Sequence, residues 1–252
     1  MDHTVFFNFM RDLKKNIVPY KCPYNKIRIG NYADGGYVIA DLPCNICYSY
    51  GSNDEISFEV GLYEKYKAKS YVFDHTIENI TNKPDFIFFS KEGVSHVKTH
   101  DCDTIDNHVI KHDTSENMLL KMDVEFSEWD VLLNCNSIDK FSQIVVEFHF
   151  YSLIPDVMIK VFKKITEKFK IIHLHANPHQ INPYIDVEFP RVIEITFLRN
   201  DYFMNGFEVD MTSNFPDLEL DPVYAIPFRS MNWWRRQYDT SGIQLLRDVK
   251  FD

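Results

Sequence analysis

The sequence predicts an α/β fold built on a mostly parallel sheet, and two features of the chain support this. Short apolar runs that suit fully buried strands alternate with segments of helical periodicity. Polar residues follow several of these runs where each strand ends, which is the edge where open α/β sheets bind ligands. The clearest case is the run 118–122, which Asp123, Glu125 and Glu128 follow.

Composition limits the classes of function. The 252 residues carry a formal net charge of −10, whereas nucleic-acid and anionic-membrane surfaces need basic patches. We therefore expect a neutral or cationic partner or a small ligand, and neither nucleic acid nor membrane. No apolar run reaches the roughly 20 residues of a membrane helix, and the start lacks the features of a signal peptide. With five scattered cysteines, a reducing, cytoplasmic setting is expected. The oligomeric state stays open.

The N-terminal part predicts a helix and a hairpin outside the core. Residues 3–18 have helical periodicity, and residues 26–39 alternate around a turn at Asp34-Gly35-Gly36. No repeat or low-complexity linker divides the chain. We therefore expect a single domain with an N-terminal decoration (1–44), a core (45–200) and a C-terminal extension (201–252).

The first core strand ends in a turn of small and polar residues, Gly51-Ser52-Asn53-Asp54, and a helix follows it. Strand, turn and helix in this order present backbone N–H groups to a nucleotide-like ligand. Asp74 ends the next strand about twenty residues later, where an acid can accept hydrogen bonds from ribose hydroxyls. A helix cap would also explain Asp74. Together the two features favour an adenosine-type ligand.

Three later strands also end in polar side chains. Residues two apart in an extended chain point the same way, and neighbouring parallel strands end at the same edge of a sheet. We therefore expect these groups to converge on one cleft. The groups are Asp123 and Glu125, then Glu147 and His149, then His175 and Asn177, with His173 on the face of His175.

The remaining segments support less specific predictions. Residues 91–117 are rich in His and Asp but lack the spacing that fixes metal ligands on one face, so we expect a solvated connection with one short helix at 104–111. Residues 192–198 alternate, which suits an antiparallel strand at the end of the sheet. The Trp-Arg cluster at 232–238 is expected to pack the tail against the body.

Five segments carry a resemblance to a known family: Tyr50-Gly51, Phe73-Asp74, residues 120–129, Val146 to His149 and His173 to Asn177. Together they resemble the FkbM-type, methyltransferase-like family of class I S-adenosylmethionine-dependent methyltransferases. Residues 120–129 are similar to the signature L-K-x-D-x-E-G-x-E, and the likeness spans about residues 26–200. The resemblance implies a Rossmann-like, seven-stranded sheet with helices on both faces and its last strand antiparallel.

The resemblance also implies S-adenosylmethionine as cofactor, lying over Gly51 and Asp74. The cofactor-binding residues expected from it are Tyr50, Gly51, Ser52, Asp54, Asp74 and His75. Phe126 stands where the signature has glycine, and the turn at Gly51 lacks the second glycine common in methyltransferases. Phe126 is expected to crowd the backbone beside the reaction centre.

The resemblance implies O-methylation of a small-molecule or sugar hydroxyl, and hence a small-molecule or carbohydrate acceptor. His149 or His175 is the candidate base, because histidine titrates near neutral pH. Asp123 and Glu125 would orient the acceptor, or Asp123 and Glu147 would hold a divalent cation that lowers the pKa of the hydroxyl. Oxygen ligands favour Mg²⁺ over Zn²⁺.

Two other functions remain open at this point. One is an inactive binding module in which Phe126 fills the donor site. The other is a metal-dependent hydrolase that uses Asp123, Glu147, His149 and His175.

Overall fold

The computed structural model describes residues 3–222 except 33, 113, 116, 177–180, 185–186, 214–216 and 218. Asn177 and the Trp-Arg cluster at 232–238 lie outside the described residues. The helices are α1 (His3–Asn16), α2 (Ser57–Tyr66), α3 (Ile105–Lys111), α4 (Glu128–Asn134) and α5 (Pro155–Lys168). The strands are β1 (Lys26–Ile29), β2 (Tyr37–Ala40), β3 (Ile46–Tyr50), β4 (Lys69–Phe73), β5 (Ile87–Ser90), β6 (Gly93–Val94), β7 (Cys102–Asp103), β8 (Met118–Met122), β9 (Phe141–His149), β10 (Phe169–Ala176), β11 (Ile181–Tyr184), β12 (Val187–Pro190) and β13 (Val192–Arg199).

A sheet of seven strands forms the centre, in the order β5-β4-β3-β8-β9-β13-β10. β13 is antiparallel to both of its neighbours, and the other pairs are parallel. Numbered along the chain, the five parallel strands have the order 3-2-1-4-5 of doubly wound folds. This confirms the predicted Rossmann-like class I methyltransferase fold.

Helices cover both faces of the sheet, and its strands are therefore buried on both sides. In β8 all five residues are buried, and adjacent residues belong to opposite faces. Leu119 packs with α2 and the β1–β2 hairpin, whereas Leu120 packs with α1, α4 and α5. A strand such as β8, which is covered on both faces, therefore requires a continuous apolar run and not an alternation of apolar and polar residues.

The predicted hairpin is present, with Ile29 opposite Tyr37 in an antiparallel register. Arg28 lies on β1, and its Nη2 donates a hydrogen bond to the Gly36 carbonyl 2.6 Å away. Asn31 donates from Nδ2 to the carboxylate of Glu55, 2.8 Å away. These polar residues therefore close the hairpin loop and tie it to the start of α2.

The prediction of a solvated connection at 91–117 is only partly right. The short helix is there as α3, and the Thr104 hydroxyl accepts a hydrogen bond from the Asn107 backbone at its start. Asp103 and His108, however, are completely buried. Lys111 donates to the Asp103 carboxylate at 2.6 Å, so paired charges replace the expected solvent contact at this position.

The structure also bears on the predictions that the cysteines form no disulfide framework and that no segment is a membrane helix. All five cysteines are free thiols, and burial raises the pKa of Cys44 to about 12. Such a thiol is unreactive at neutral pH, because the thiolate is the reactive form. None of the helices in the described part of the chain combines the length and apolar character that crossing a membrane requires.

The turn after β8 differs from the extended chain that the sequence suggested. Glu125 and Phe126 have φ angles of 50° and 87°, so Asp123 and Glu125 are brought together by a turn. Phe126 thus adopts the backbone conformation that suits the glycine of the family signature. Its side chain packs against the main core, which offsets the roughly 1–2 kcal/mol that a left-handed conformation costs.

Phe126→Gly and Phe126→Ala should therefore differ in stability. Both lose the same core contacts, but only alanine keeps a Cβ at the positive φ angle. We expect the glycine variant to be more stable by about 1 kcal/mol, as measured by urea unfolding. The same pair at Lys160, an exposed position inside α5, should give the opposite order by about the same amount. Equal stabilities of the two Phe126 variants would contradict this account.

Candidate functional site

A cavity of about 760 Å³ opens at the carboxyl edge of the sheet. It lies beside β3 and β8, where the strand order reverses, which is where doubly wound folds bind ligands. Its volume falls within the roughly 300–1,000 Å³ of small-molecule sites. The turn after β3, the segment after β4 and the turn after β8 form much of its wall.

Most of the predicted site residues line this cavity. They are Gly51, Ser52, Asp74, His75, Asp123, Glu125, Glu147 and His175. Three do not. Tyr50 points into the core, where its hydroxyl lies 3.2 Å from Nδ1 of His108. Asp54 accepts a hydrogen bond from the Thr81 backbone at 2.7 Å, and His149 is buried next to the wall.

Gly51 is required where the β3 turn meets the β8 turn. Its φ angle is 71°, and a Cβ atom there would lie 1.7 Å from the carbonyl oxygen of Asp123. The backbones of the two turns are therefore in direct contact at Gly51, and no residue larger than glycine fits there. Lys121 fixes the same place, because its Nζ donates a hydrogen bond to the Gly51 carbonyl at 2.6 Å.

Asp74 anchors the turn after β3. One of its oxygens accepts from the Asn53 backbone at 2.8 Å, and the other accepts from the Thr76 backbone and hydroxyl at 2.8 and 2.6 Å. Burial opposes ionisation, but these hydrogen bonds outweigh it and lower the pKa of Asp74. A carboxylate has about four acceptor positions, so one remains for a ligand.

Four carboxylates surround the imidazole of His149, and we call this group the His149 cluster. Nε2 lies 3.3 Å from Glu147, 3.6 Å from Glu125 and 3.8 Å from Asp123. Nδ1 lies 3.3 Å from Oε1 of Glu128. The histidine side chain is only 1% exposed, and neither ring nitrogen makes a well-aligned hydrogen bond within the described residues.

The electrostatics of the His149 cluster follow from burial and charge. Burial lowers the pKa of His149, but Glu128 and Glu147 outweigh it and raise that pKa to about 10. Burial, reinforced by the charges of Asp123 and Glu194, raises the pKa of Glu147 to about 7. Burial also raises the pKa of Asp123. His149 is therefore protonated at neutral pH and is not suited to accept a proton there.

Glu194 joins the site although the sequence analysis did not select it. It lies directly opposite Glu147 on β9 and His175 on β10, and it lines the cavity. Its Oε1 lies 3.2 Å from Nδ1 of His175. An acid within an apolar, alternating strand was the available signal for it.

Glu59 and Tyr37 are two further cavity residues that the sequence analysis did not select. Glu59 is 1% exposed; one of its oxygens accepts from the Ser49 hydroxyl, and the other has no hydrogen-bond partner within the described residues. The Tyr37 hydroxyl donates to Asp123 at 3.4 Å.

His173 does not share the site of His175, contrary to the prediction. Its Nε2 lies 2.9 Å from the buried Asp221, and its Nδ1 lies 3.4 Å from Nζ of Lys26. The register of β10 against β13 shifts between Ile171 and His173. His173 is therefore part of a structural ion-pair group beside the hairpin.

No protein-family model matches the chain, and no curated protein matches its sequence. Solved structures with a related fold include the fibrillarin/Nop5p complex (12% identity, 62% of this chain and 72% of that one, TM-score 0.40). Others are M. capricolum TrmK with S-adenosyl-homocysteine (11%, 71% and 71%, 0.37) and the Methanococcus jannaschii fibrillarin pre-rRNA processing protein (11%, 62% and 66%, 0.34). Similarity at this level concerns the fold alone.

The expected partners need correction. The descriptions of the neighbours name a pre-rRNA processing protein and a complex with Nop5p, and this is the finding that contradicts the prediction. The prediction of a small-molecule or carbohydrate acceptor without nucleic acid is therefore wrong. The exclusion of nucleic acid rested on the net charge of −10, but that sum over the whole chain does not describe the charge of any one surface.

Asp74→Asn should destabilise the protein at neutral pH. The amide has one acceptor oxygen where the carboxylate uses two, so we expect a loss of about 1–3 kcal/mol. Because the folded-state pKa of Asp74 is lowered, its contribution is complete above the ordinary value of 3.8 and declines as pH falls below it. The gap between wild type and variant should narrow over that range in urea unfolding. A gap independent of pH would contradict the assigned role.

Proposed function

We propose that this protein is an S-adenosylmethionine-dependent methyltransferase of the FkbM type. The observation that carries the proposal is the cavity at the strand-order reversal, which lies open directly above Gly51. A nucleoside-type ligand needs close approach to the backbone at this turn. The sequence resemblance across residues 26–200 supports the same cofactor.

The donor would lie between the turn after β3 and the segment after β4. The remaining acceptor position of Asp74 suits a ribose hydroxyl, while Ser52 and His75 line the adjacent wall. Tyr50 and Asp54 are not retained as ligand contacts, because neither lines the cavity. The nucleoside end of the donor would thus lie away from the His149 cluster.

The acceptor would be a hydroxyl group near the end of β9 and the start of β13. The donor would supply the methyl group to the acceptor oxygen, and the electron pair of the broken carbon–sulfur bond would leave with sulfur as S-adenosyl-homocysteine. His175 accepts the hydroxyl proton, and Glu194 orients the imidazole from 3.2 Å. Of the two predicted bases, His175 is the one that lines the cavity.

Phe126 does not support an inactive module. The side chain is absent from the described wall of the cavity and packs against the main core instead. The positive φ angle turns it away from the position that the sequence analysis expected. The donor site is therefore not filled by Phe126.

Calorimetric titration tests donor binding directly. We expect saturable binding of S-adenosylmethionine and S-adenosyl-homocysteine to the wild-type protein. Ser127 lines the cavity, is exposed and makes no side-chain capping bond. Ser127→Trp should therefore fill the site without disturbing the fold and weaken binding by at least about tenfold.

Two variants serve as controls for this titration. Ser152 is also exposed but lies outside the cavity wall, so Ser152→Trp should bind the donor like the wild type. His175→Asn changes the proposed base and should leave donor affinity unchanged. A well-folded wild-type protein that binds neither compound would overturn the proposed function.

A further inference from the structure

We propose that Asp123, Glu147 and His149 form a binding site for one divalent cation at the wall of the cavity. One carboxylate oxygen of each acid and one imidazole nitrogen all lie within 4.8 Å of one another. The site itself stands on this geometry. Only its part in methyl transfer rests on the proposed function.

The distances suit a common ion. Ligand atoms that each lie about 2.0–2.2 Å from one metal are about 3.0–3.5 Å apart when adjacent. Nε2 of His149 lies 3.3 Å from Glu147 and 3.8 Å from Asp123. The two distances from His149 are therefore within a few tenths of an ångström of this range, and the ligand oxygens of Asp123 and Glu147 lie within 4.8 Å of each other.

His149 is the observation that separates this group from an ordinary acidic cluster. Its side chain is 1% exposed, and its ring nitrogens lack aligned hydrogen bonds within the described part of the chain. Nε2 instead faces the two acids. A buried polar group without aligned partners is costly, and a metal ion that displaces the Nε2 proton into solvent would satisfy it.

Glu128 completes the arrangement on the far side of the imidazole. Metal-bound histidines commonly donate their second N–H to a carboxylate, which fixes the ring. Oε1 of Glu128 lies 3.3 Å from Nδ1 of His149 and accepts the His149 backbone N–H at 2.6 Å. Trp129, the next residue, donates to the His149 carbonyl at 2.8 Å. The start of α4 therefore holds both the ring and the backbone of His149.

The balance of charge also favours a cation. Asp123, Glu125, Glu128 and Glu147 face one imidazole, and the ion pairs observed for these four acids within the described residues are all with His149. A dication would offset the repulsion between Asp123 and Glu147. It would also polarise an acceptor hydroxyl at the cavity wall.

The ligand set indicates which ion to use as a probe. Carboxylate oxygens suit Mg²⁺ and Mn²⁺, whereas imidazole suits later transition metals. Two carboxylates with one imidazole therefore favour Mn²⁺ over the Mg²⁺ that an oxygen-only set predicted. Mn²⁺ also has a spectroscopic signal that reports binding without any activity assay.

The second group that could hold a metal, Glu92, Asp103 and His108, differs in one respect. Lys98 and Lys111 donate to the Asp103 carboxylate at 2.8 and 2.6 Å. The negative charge of Asp103 is therefore already neutralised by Lys98 and Lys111. This group therefore serves as an internal control.

Titration of metal-free protein with Mn²⁺, followed by calorimetry and electron paramagnetic resonance, tests the site. We expect one saturable site in the wild type. Glu147→Gln and His149→Asn should each lower the affinity by more than about 100-fold, and Glu128→Gln by about tenfold. Glu92→Gln should leave it unchanged.

Folding and ligand binding are checked separately. Glu147→Gln replaces a buried acid that repels Asp123 and Glu194 with a neutral amide. The metal-free variant also loses the attraction between Glu147 and His149, so its fold is checked by circular dichroism, and it should still bind S-adenosylmethionine. Loss of Mn²⁺ binding in this variant would then report the site and not misfolding.

Two results would overturn the inference. One is the absence of saturable Mn²⁺ binding to folded wild-type protein. The other is Mn²⁺ binding that His149→Asn leaves unchanged. Because the titration uses no methyl donor, either result leaves the donor-binding test of the proposed function unaffected.

Discussion

The contact between two backbone segments determines where this molecule can bind a ligand. Gly51 and the carbonyl of Asp123 approach so closely that a side chain at Gly51 would overlap the carbonyl oxygen. The contact joins the ends of β3 and β8, and Lys121 donates its ammonium hydrogen to Gly51 from within β8. The helices that follow the two strands pack on opposite faces of the sheet. The cavity therefore opens at the carboxyl edge beside β3 and β8, where the strand order reverses.

Concentrated negative charge is the second constraint. Isolated carboxylates are rarely buried, because loss of hydration destabilises the ionised form. Here burial raises the pKa of Glu147 and of Asp123, while the same burial at Asp74 is outweighed by hydrogen bonds that lower its pKa. The carboxylate of the wall near β4, Asp74, is thus stabilised by hydrogen bonds within the protein. The carboxylates of the wall near β9, Glu147 and Asp123, need a proton or a cation to offset their burial.

The sequence predicted the strands and the sheet edge, and most of the predicted site residues lie at the cavity, because these features follow from local patterns. Apolar runs that end in polar residues locate the strands and their edge. They do not show the path of the chain beyond the last strand residue. The positive φ angles at Glu125 and Phe126 and the register shift before His173 depend on tertiary packing. As a result, the positive φ angles and the register shift bring together side chains other than those that the sequence pattern predicted.

Residues recruited from distant segments were the hardest to predict. Glu194 reaches the site only because β13 inserts between β9 and β10, which no spacing in the chain reveals. Acids are common in the first turn of a helix, where they interact favourably with the helix dipole, so Glu128 at the start of α4 carries no further signal in the sequence. Its contact with His149 appears only once α4 is packed against the end of β9. Sequence patterns thus identify candidate groups, while the strand order decides their partners.

Asp123 connects the two halves of the site. Its backbone carbonyl abuts Gly51 in the donor wall, and its carboxylate faces His149 and accepts from Tyr37. Any ligand that holds the carboxylate also restrains the turn from 123 to 127, and that turn is part of the wall that a donor would contact. Binding free energies that share such an element are coupled reciprocally. Under the two proposals, the residue that brings the two turns together would therefore also couple donor binding to cation binding.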